Sequence, residues 1–356
     1  MDGDRMRSIP VLDLDAWSHE SDELLVASLA EFGLAHIRGH GIMPGQLDTF
    51  YEEFLSVLER PVDEKSSWGG ENVWFQRGWT PPDTERAVIA GGQPDFKECF
   101  FVAPMPVDEA CRIEHPQVCA DNVWPEKSDE FQTIYLSIGH RLHDVGLRLL
   151  QAIARGLCID ENTLEGVVDG GPHVTRGLKY LALDQGQVDQ GVLWGEEHTD
   201  FNMLTLLPGG RFFDIDAHPT EAPDPNAGLY LRTRSGHQVR GGAPKGAIVV
   251  QVGQQLEILT GGQLLATPHV VTAPKQPGFT RCACAHFVHL HPHTLVRPLA
   301  AFATPENIAS YAPPVLAGTY ALKTLVDIGL APKAAIDALG YRHYQRLADQ
   351  RLAQQG

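Results

Sequence analysis

A mainly β fold with flanking helices is predicted by three features of the sequence. From Leu178 to Leu299 short apolar runs alternate with Gly, Pro and Asp; ahead of them lies one long helical pattern, residues 128–158; and helical periodicity returns from Ile308 to Ala353. Short runs at that spacing are how a many-stranded antiparallel sandwich or barrel is written. For 356 residues the length prior is two domains, but β-rich single domains reach about 250 residues. One β-rich region enclosed by helices, with no internal repeat or low-complexity tract, favours a single integrated domain. Its expected parts are a helix/strand module (1–120), scaffold helices (121–174), a β core (175–300) and C-terminal helices (301–356).

The elements follow in order. Ile9-Pro-Val-Leu-Asp-Leu14 reads as a short strand, and Ser21 to Phe32 as an amphipathic helix with Leu24, Leu25, Ala27, Leu29 and Phe32 apolar. Gly33 opens a second strand, LAHIRGHGI, closed by glycine and Pro44. Residues 45–60 are helical again, with Leu47, Phe50, Phe54, Leu55 and Leu58 on one face. Pro61 to Pro94 is a polar connection of the kind that can cover a binding site. In the block 128–158, Phe131, Ile134, Tyr135, Ile138, Leu142, Val145, Leu149 and Ile153 recur mostly three and four apart, the mark of a buried helix. Residues 209–228 form an acidic, proline-rich excursion suited to a lid or a contact between copies.

Composition narrows the function. With 45 Asp+Glu against 28 Lys+Arg the formal charge is −17, which repels phosphate backbones and argues against nucleic acid or an anionic membrane as partner. No apolar run approaches the roughly 20 residues of a membrane span, and the polar start does not resemble a targeting segment; a cytoplasmic protein is expected. The six cysteines show no CxxC spacing and read as buried or neutral thiols. Nothing in the sequence sets the oligomeric state.

The chemistry concentrates around His198-Thr199-Asp200. In a strand alternate side chains share a face, so His198 and Asp200 would lie roughly 7 Å apart at Cα and point the same way. HxD alone is a weak signal, and a third ligand is needed. GAIVVQVGQQLEILTGGQLLATPHVV supplies His269 inside a second apolar strand pattern. Two His and one carboxylate form the facial set of non-haem Fe(II) oxygenases, with positions left open for cosubstrate and oxygen; a catalytic zinc site is the chemical rival. The next strand, TRCACAHFVHLHP, puts Arg281, Ala283, Ala285 and Phe287 on one face and Cys282, Cys284 and His286 on the other. A single guanidinium inside an apolar barrel suits a dicarboxylate, which it grips through two parallel hydrogen bonds. His286, His289, His291 and His293 are read as solvated or structural, three of them alternating outward into a loop.

On these residues the sequence resembles the isopenicillin N synthase-like family of Fe(II)/2-oxoglutarate-dependent dioxygenases. IPVLDL and FGLAHIRGHGI resemble its opening module, Arg77-Gly78-Trp79 its "RGY" element, and His198, Asp200, His269 and Arg281 its metal and 2-oxoglutarate positions. TGGQLLATPHVV, RCACAHF and PDFKECF resemble, more narrowly, the bacterial ethylene-forming enzymes. Family members commonly carry Ser two residues after the cosubstrate Arg, where this chain has Ala283, as the ethylene-forming enzymes do. Phe201 stands where those enzymes have Tyr, and Glu85 is offset from their substrate-binding acid. Arg176 matches one of their pocket arginines and is either a cosubstrate contact or part of an ion pair; Lys179 lies beside it.

The resemblance implies a double-stranded β-helix (jelly-roll) core, Fe(II) as metal, and 2-oxoglutarate and O2 as cosubstrates. It also implies a small-molecule substrate, hydroxylated, desaturated or cyclised as succinate and CO2 are released. With Asp200 on the iron no position is left for halide. Ethylene formation is the alternative within enzymes; a non-catalytic jelly-roll binding protein or a zinc hydrolase is the alternative outside the family.

Overall fold

The computed structural model describes residues 8–85 and 96–338. The loop expected over 61–94, the start of PDFKECF and the end of the C-terminal helical pattern lie partly outside the described residues.

The strands, in chain order, are β1 (Val11–Asp13), β2 (Leu34–Arg38), β3 (Gly78–Thr80), β4 (Lys97–Val102), β5 (Val174–Tyr180), β6 (Gly195–His198), β7 (Leu204–Leu207), β8 (Arg211–Phe213), β9 (Pro219–Thr220), β10 (Gly228–Arg232), β11 (Gln238–Arg240), β12 (Ile248–Val252), β13 (His269–Thr272) and β14 (Thr280–Val288). They build two sheets, and a separate two-stranded ribbon pairs Leu295–Val296 with Val315–Leu316. The larger runs β1-β2-β12-β7-β14-β5-β4-β3, with β8 joined to the start of β14 and β9 to β8; the smaller runs β11-β10-β13-β6. Within these sheets, β1 and β2 pair in parallel and the other neighbours run antiparallel. Two mainly antiparallel sheets with helices outside are the jelly-roll core expected, and strands from before residue 175 extend the larger sheet at both ends.

The large sheet is buried on both faces, and β14 shows how. Cys282, Cys284 and Val288 join the core under the helices, whereas Ala283 and Ala285 line a second apolar cluster with Leu178, Tyr180, Trp194 and Phe101. This is the alternation read from the sequence. The outer layer is the helix Asp129–Gly156, whose buried face includes Phe131, Tyr135, Ile138, Leu142, Val145, Leu149 and Ile153. It lies close on the sheet because Gly146 carries no side chain: a Cβ there would stand 3.0 Å from Val288 Cγ2. Tyr135 locks the two layers, its hydroxyl donating to the Phe100 carbonyl and accepting from the Gly177 amide, both at 2.6 Å. The helix His19–Glu31 starts ahead of the expected Ser21 because Ser18 caps it and Ser21 closes the capping box. Pro44 opens the helix Pro44–Leu58 at its first turn, where no amide donor is missed.

Of the roles expected for the histidines, the structural one holds for His286, while His289, in the run expected to alternate outward, is buried too. His286 lies on the helix side of β14, its Nε2 3.3 Å from His143 Nδ1 and its Nδ1 2.9 Å from Thr175 Oγ1. His173 packs on His143 with ring centroids 4.4 Å apart, and its Nδ1 accepts the His289 amide at 3.1 Å. Burial holds His143 and His289 down at about 4 and His173 and His286 well below the ordinary 6.5. These rings are neutral in the fold but protonate in the unfolded chain once the pH drops below 6.5. Their stabilisation is therefore complete above pH 6.5 and is lost as the pH falls toward 4, on the order of 2–3 kcal/mol for a ring shifted this far. The thermal midpoint is expected to drop steadily across that window in calorimetry; a flat midpoint would mean the rings are protonated in the native state.

Candidate active site

The smaller sheet places the two histidines by register. His198 ends β6 and His269 begins β13, and the two are direct cross-strand partners, with ring centroids 4.3 Å apart. Asp200 is not in the strand, contrary to the expectation of a shared strand face. It sits in the turn after β6, and that turn is tied down locally. The Gln254 amide donates to the Asp200 carbonyl at 2.8 Å, and Asn202 Nδ2 donates to the Leu204 carbonyl at 2.7 Å. Gly253 is required beside it, since a Cβ there would fall 2.1 Å from the Asn202 carbonyl oxygen. The turn brings Asp200 Oδ1 to 3.7 Å from His198 Nε2 and 3.9 Å from His269 Nε2. The three donor groups lie within 4.8 Å of one another, close enough for one ion with bonds of roughly 2 Å to reach them after small adjustments.

The tautomers suit ligation. His198 Nδ1 lies 2.7 Å from the Glu196 carbonyl, to which it donates, leaving the Nε2 lone pair facing Asp200. His269 Nδ1 lies 3.2 Å from the Thr267 carbonyl and 2.6 Å from the side-chain amide of Gln251. With the amide nitrogen toward the ring, Gln251 Oε1 is buried without a partner among the described residues. With the oxygen toward it, Gln251 accepts from Nδ1–H and His269 Nε2 keeps its lone pair. Burial, reinforced by His198, pushes His269 down to about 4 against the pull of Asp200. Burial alone would raise the Asp200 carboxyl, but His269, His198 and a 2.6 Å hydrogen bond from Thr205 Oγ1 hold it below the ordinary value. Near neutral pH His269 is thus a neutral imidazole and Asp200 a carboxylate, the forms in which these groups bind a metal.

Arg281 stands on the larger sheet, opposite Tyr180 on β5 and Phe212 on β8. Its guanidinium carbon lies 5.5 Å over the Tyr180 ring, and no carboxylate lies within ion-pair distance among the described residues. It also lies against Gly210, where a Cβ would come 2.9 Å from its Nη2. The excursion 209–228 thus begins as one wall of the Arg281 region, through β8 and its Phe212. Ala283, opposite Leu178, keeps the wall two residues on free of any hydroxyl.

Arg176, opposite Ala285 and Phe101, is held differently. Its Nη2 bonds Glu85 Oε2 and lies 3.1 Å from Cys99 Sγ, and its guanidinium stacks 4.7 Å over Phe101. Its Nε is buried with no partner among the described residues. Glu85 also accepts from Lys97 Nζ at 3.1 Å. Burial would raise the Glu85 carboxyl, yet Arg176 and Lys97 bring it down to about 2. Lys179, on the other face of β5, pairs with Glu98 at 3.3 Å. Glu85→Ala is expected to cost about 3–5 kcal/mol in urea unfolding, because it leaves buried cations without their carboxylate; a loss under about 1 kcal/mol, the range of a solvated ion pair, would mean that water reaches the cluster.

Sequence reasoning missed Gln251, Thr205, Gln254 and Tyr320. Gln254 Nε2 donates to Thr199 Oγ1 at 2.5 Å while its Oε1 accepts from the Tyr320 hydroxyl, stringing the helix Ala317–Asp327 to the residue between the two HxD side chains. Arg77 of the RGW element is structural, donating to the carbonyls of Val118 at 3.0 Å and Ala120 at 2.9 Å.

Comparison with known proteins agrees with this architecture. Residues 9–127 match the N-terminal region of "non-haem dioxygenase in morphine synthesis", and residues 178–290 match the 2OG-Fe(II) oxygenase superfamily. Leucoanthocyanidin dioxygenase 1 of Oryza sativa subsp. indica is 26% identical over 290 residues, covering 75% of this chain and 68% of its own. Two solved structures share the fold: a 2OG-Fe(II) oxygenase family protein of Caulobacter crescentus (TM-score 0.73, 23% identity, 90% of this chain and 99% of that one) and a full-length Neurospora crassa protein in complex with alpha-KG (TM-score 0.72, 19% identity, 89% and 95%). The fold and sequence matches define a 2OG-Fe(II) oxygenase. The chain belongs to the isopenicillin N synthase-like family of these enzymes, and is an Fe(II)/2-oxoglutarate-dependent dioxygenase.

Proposed function

We propose that His198, Asp200 and His269 hold the Fe(II) of this dioxygenase and that Arg281 takes the distal carboxylate of 2-oxoglutarate, with Ala283 beside it, in one integrated domain centred on the jelly roll. The observation that carries this reading is the pairing of three convergent donors in their ligating forms with an arginine that has no carboxylate partner among the described residues. When bound, iron, 2-oxoglutarate and oxygen supply the oxidising chemistry, and succinate and CO2 are the by-products. The chain's part is to hold and orient. Glu196 and Gln251 set the imidazole tautomers, Thr205 steers the Asp200 oxygens, and Tyr180, Trp194 and Phe212 keep water from the Arg281 wall. Arg176 offers the cosubstrate region a donor without a partner among the described residues, Nε, while Glu85 neutralises its charge.

The reaction proposed is hydroxylation, desaturation or cyclisation of a separate substrate, with little ethylene. A free arginine entering the pocket would need a carboxylate for its guanidinium, and Glu85 is already committed to Arg176 and Lys97. Burying an unpaired charge costs several kcal/mol. Iron-loaded protein given 2-oxoglutarate, oxygen and L-arginine should yield little ethylene by headspace analysis, with succinate accumulating quickly only when the true substrate is added from a screen. Ethylene as a major product would overturn this reading.

A further inference from the structure

We infer that a second metal site, for a zinc-class divalent ion, is built from Cys111, His291 and His293, outside the catalytic region. The residues come from two distant parts of the chain, Cys111 from the helix Glu109–Glu114 and both histidines from the turn after β14. Their donor atoms nevertheless lie within 4.8 Å of one another. Cys111 Sγ and His291 Nε2 are 3.4 Å apart. A tetrahedral ion with Zn–S near 2.3 Å and Zn–N near 2.0–2.1 Å separates two such donors by about 3.5 Å, so this edge of the polyhedron is already formed. His293 Nε2 is 2.8 Å from Glu114 Oε2, a carboxylate that orients the ring, and a water would fill the fourth position of the ion.

The supports are fixed independently of any ion. Asp108 caps the short helix through the amides of Ala110 at 2.8 Å and Cys111 at 3.2 Å. The His291 amide donates to the Val167 carbonyl at 2.9 Å, and the Thr294 amide closes the turn on His291 at 2.9 Å. Access is graded: Cys111 is buried, His291 half-buried and His293 exposed, and a cavity of about 720 Å³ lined by Asp108, Asp169 and His291 opens alongside. One sulfur and two imidazoles select zinc-class ions over magnesium or calcium, which take oxygen. Loading releases the thiol proton and moves the His291 proton to Nδ1, in place of its 3.2 Å contact with the His293 amide. The ion then clips the helix Glu109–Glu114 to the end of β14, a structural role.

Cobalt(II) tests this apart from the catalytic site, because a thiolate ligand produces charge-transfer absorption in the near ultraviolet and the His198–Asp200–His269 set contains no sulfur. Protein carrying His198→Ala and Asp200→Ala is titrated with Co(II), then with Zn(II). The expected result is one equivalent bound with the near-ultraviolet band, its displacement by zinc, and loss of the band in Cys111→Ser. His293→Ala, an exposed change that spares the fold, should weaken binding at least about tenfold. Absence of the band, its persistence in Cys111→Ser, or unchanged affinity in His293→Ala would overturn the proposal.

Discussion

Alanine at any one of His198, Asp200 or His269 is expected to take 2-oxoglutarate turnover below detection while the protein still folds. Each of the three contributes one donor to a set that no other described side chain completes in place. The iron is proposed as catalytic and not structural, so losing it removes chemistry without removing the core that the helix Asp129–Gly156 and the large sheet make between them. Succinate release measured beside far-ultraviolet circular dichroism separates the two effects. Full turnover in one variant with an intact spectrum would take that residue out of the set. Loss of the spectrum together with activity in all three would make the site a folding element.

Arg281→Ala is the second large effect, expected to raise the KM for 2-oxoglutarate about ten- to a hundredfold. The basis is the roughly 1.5–3 kcal/mol of a charge-assisted hydrogen bond to an ionised partner. Arg281 makes no ion pair among the described residues that would mask the loss, and its ring contact with Tyr180 leaves the guanidinium edge open to a carboxylate. Steady-state kinetics across 2-oxoglutarate concentrations reads this directly. An unchanged KM would send the search to Arg176, whose Nε has no partner among the described residues.

Much of this is legible in the sequence because it depends on period and polarity alone. The two faces of β14 follow from alternation, and the buried face of the helix Asp129–Gly156 follows from its three- and four-residue spacing. His198, His269 and Arg281 can be named because their residue types are rare in apolar strands, and Asp200 because it stands two residues after His198. What is not legible depends on partners far away along the chain. Asp200 reaches the histidines from a turn fastened by Gln254, Asn202 and Thr205, and no strand periodicity encodes that turn. Gln251 meets His269 only because β12 and β13 belong to different sheets that converge there. The face of His286 follows from alternation, but its partners His143 and Thr175 come from other elements and leave no sign beside it in the sequence. Arg176 gives no sign of its partner because Glu85 lies in another segment, 91 residues away.

The proposed ligands and the proposed cosubstrate arginine belong to different sheets, His198 and His269 to the smaller and Arg281 to the larger. On that proposal, a molecule gripped at both ends would be a strut across the sandwich, and the gap between the layers would act as a ruler for it, so that a keto diacid one carbon shorter or longer would meet one anchor at the expense of the other. Such a strut would also tie the layers together, and occupancy would resist their separation as a bolt resists the parting of two plates.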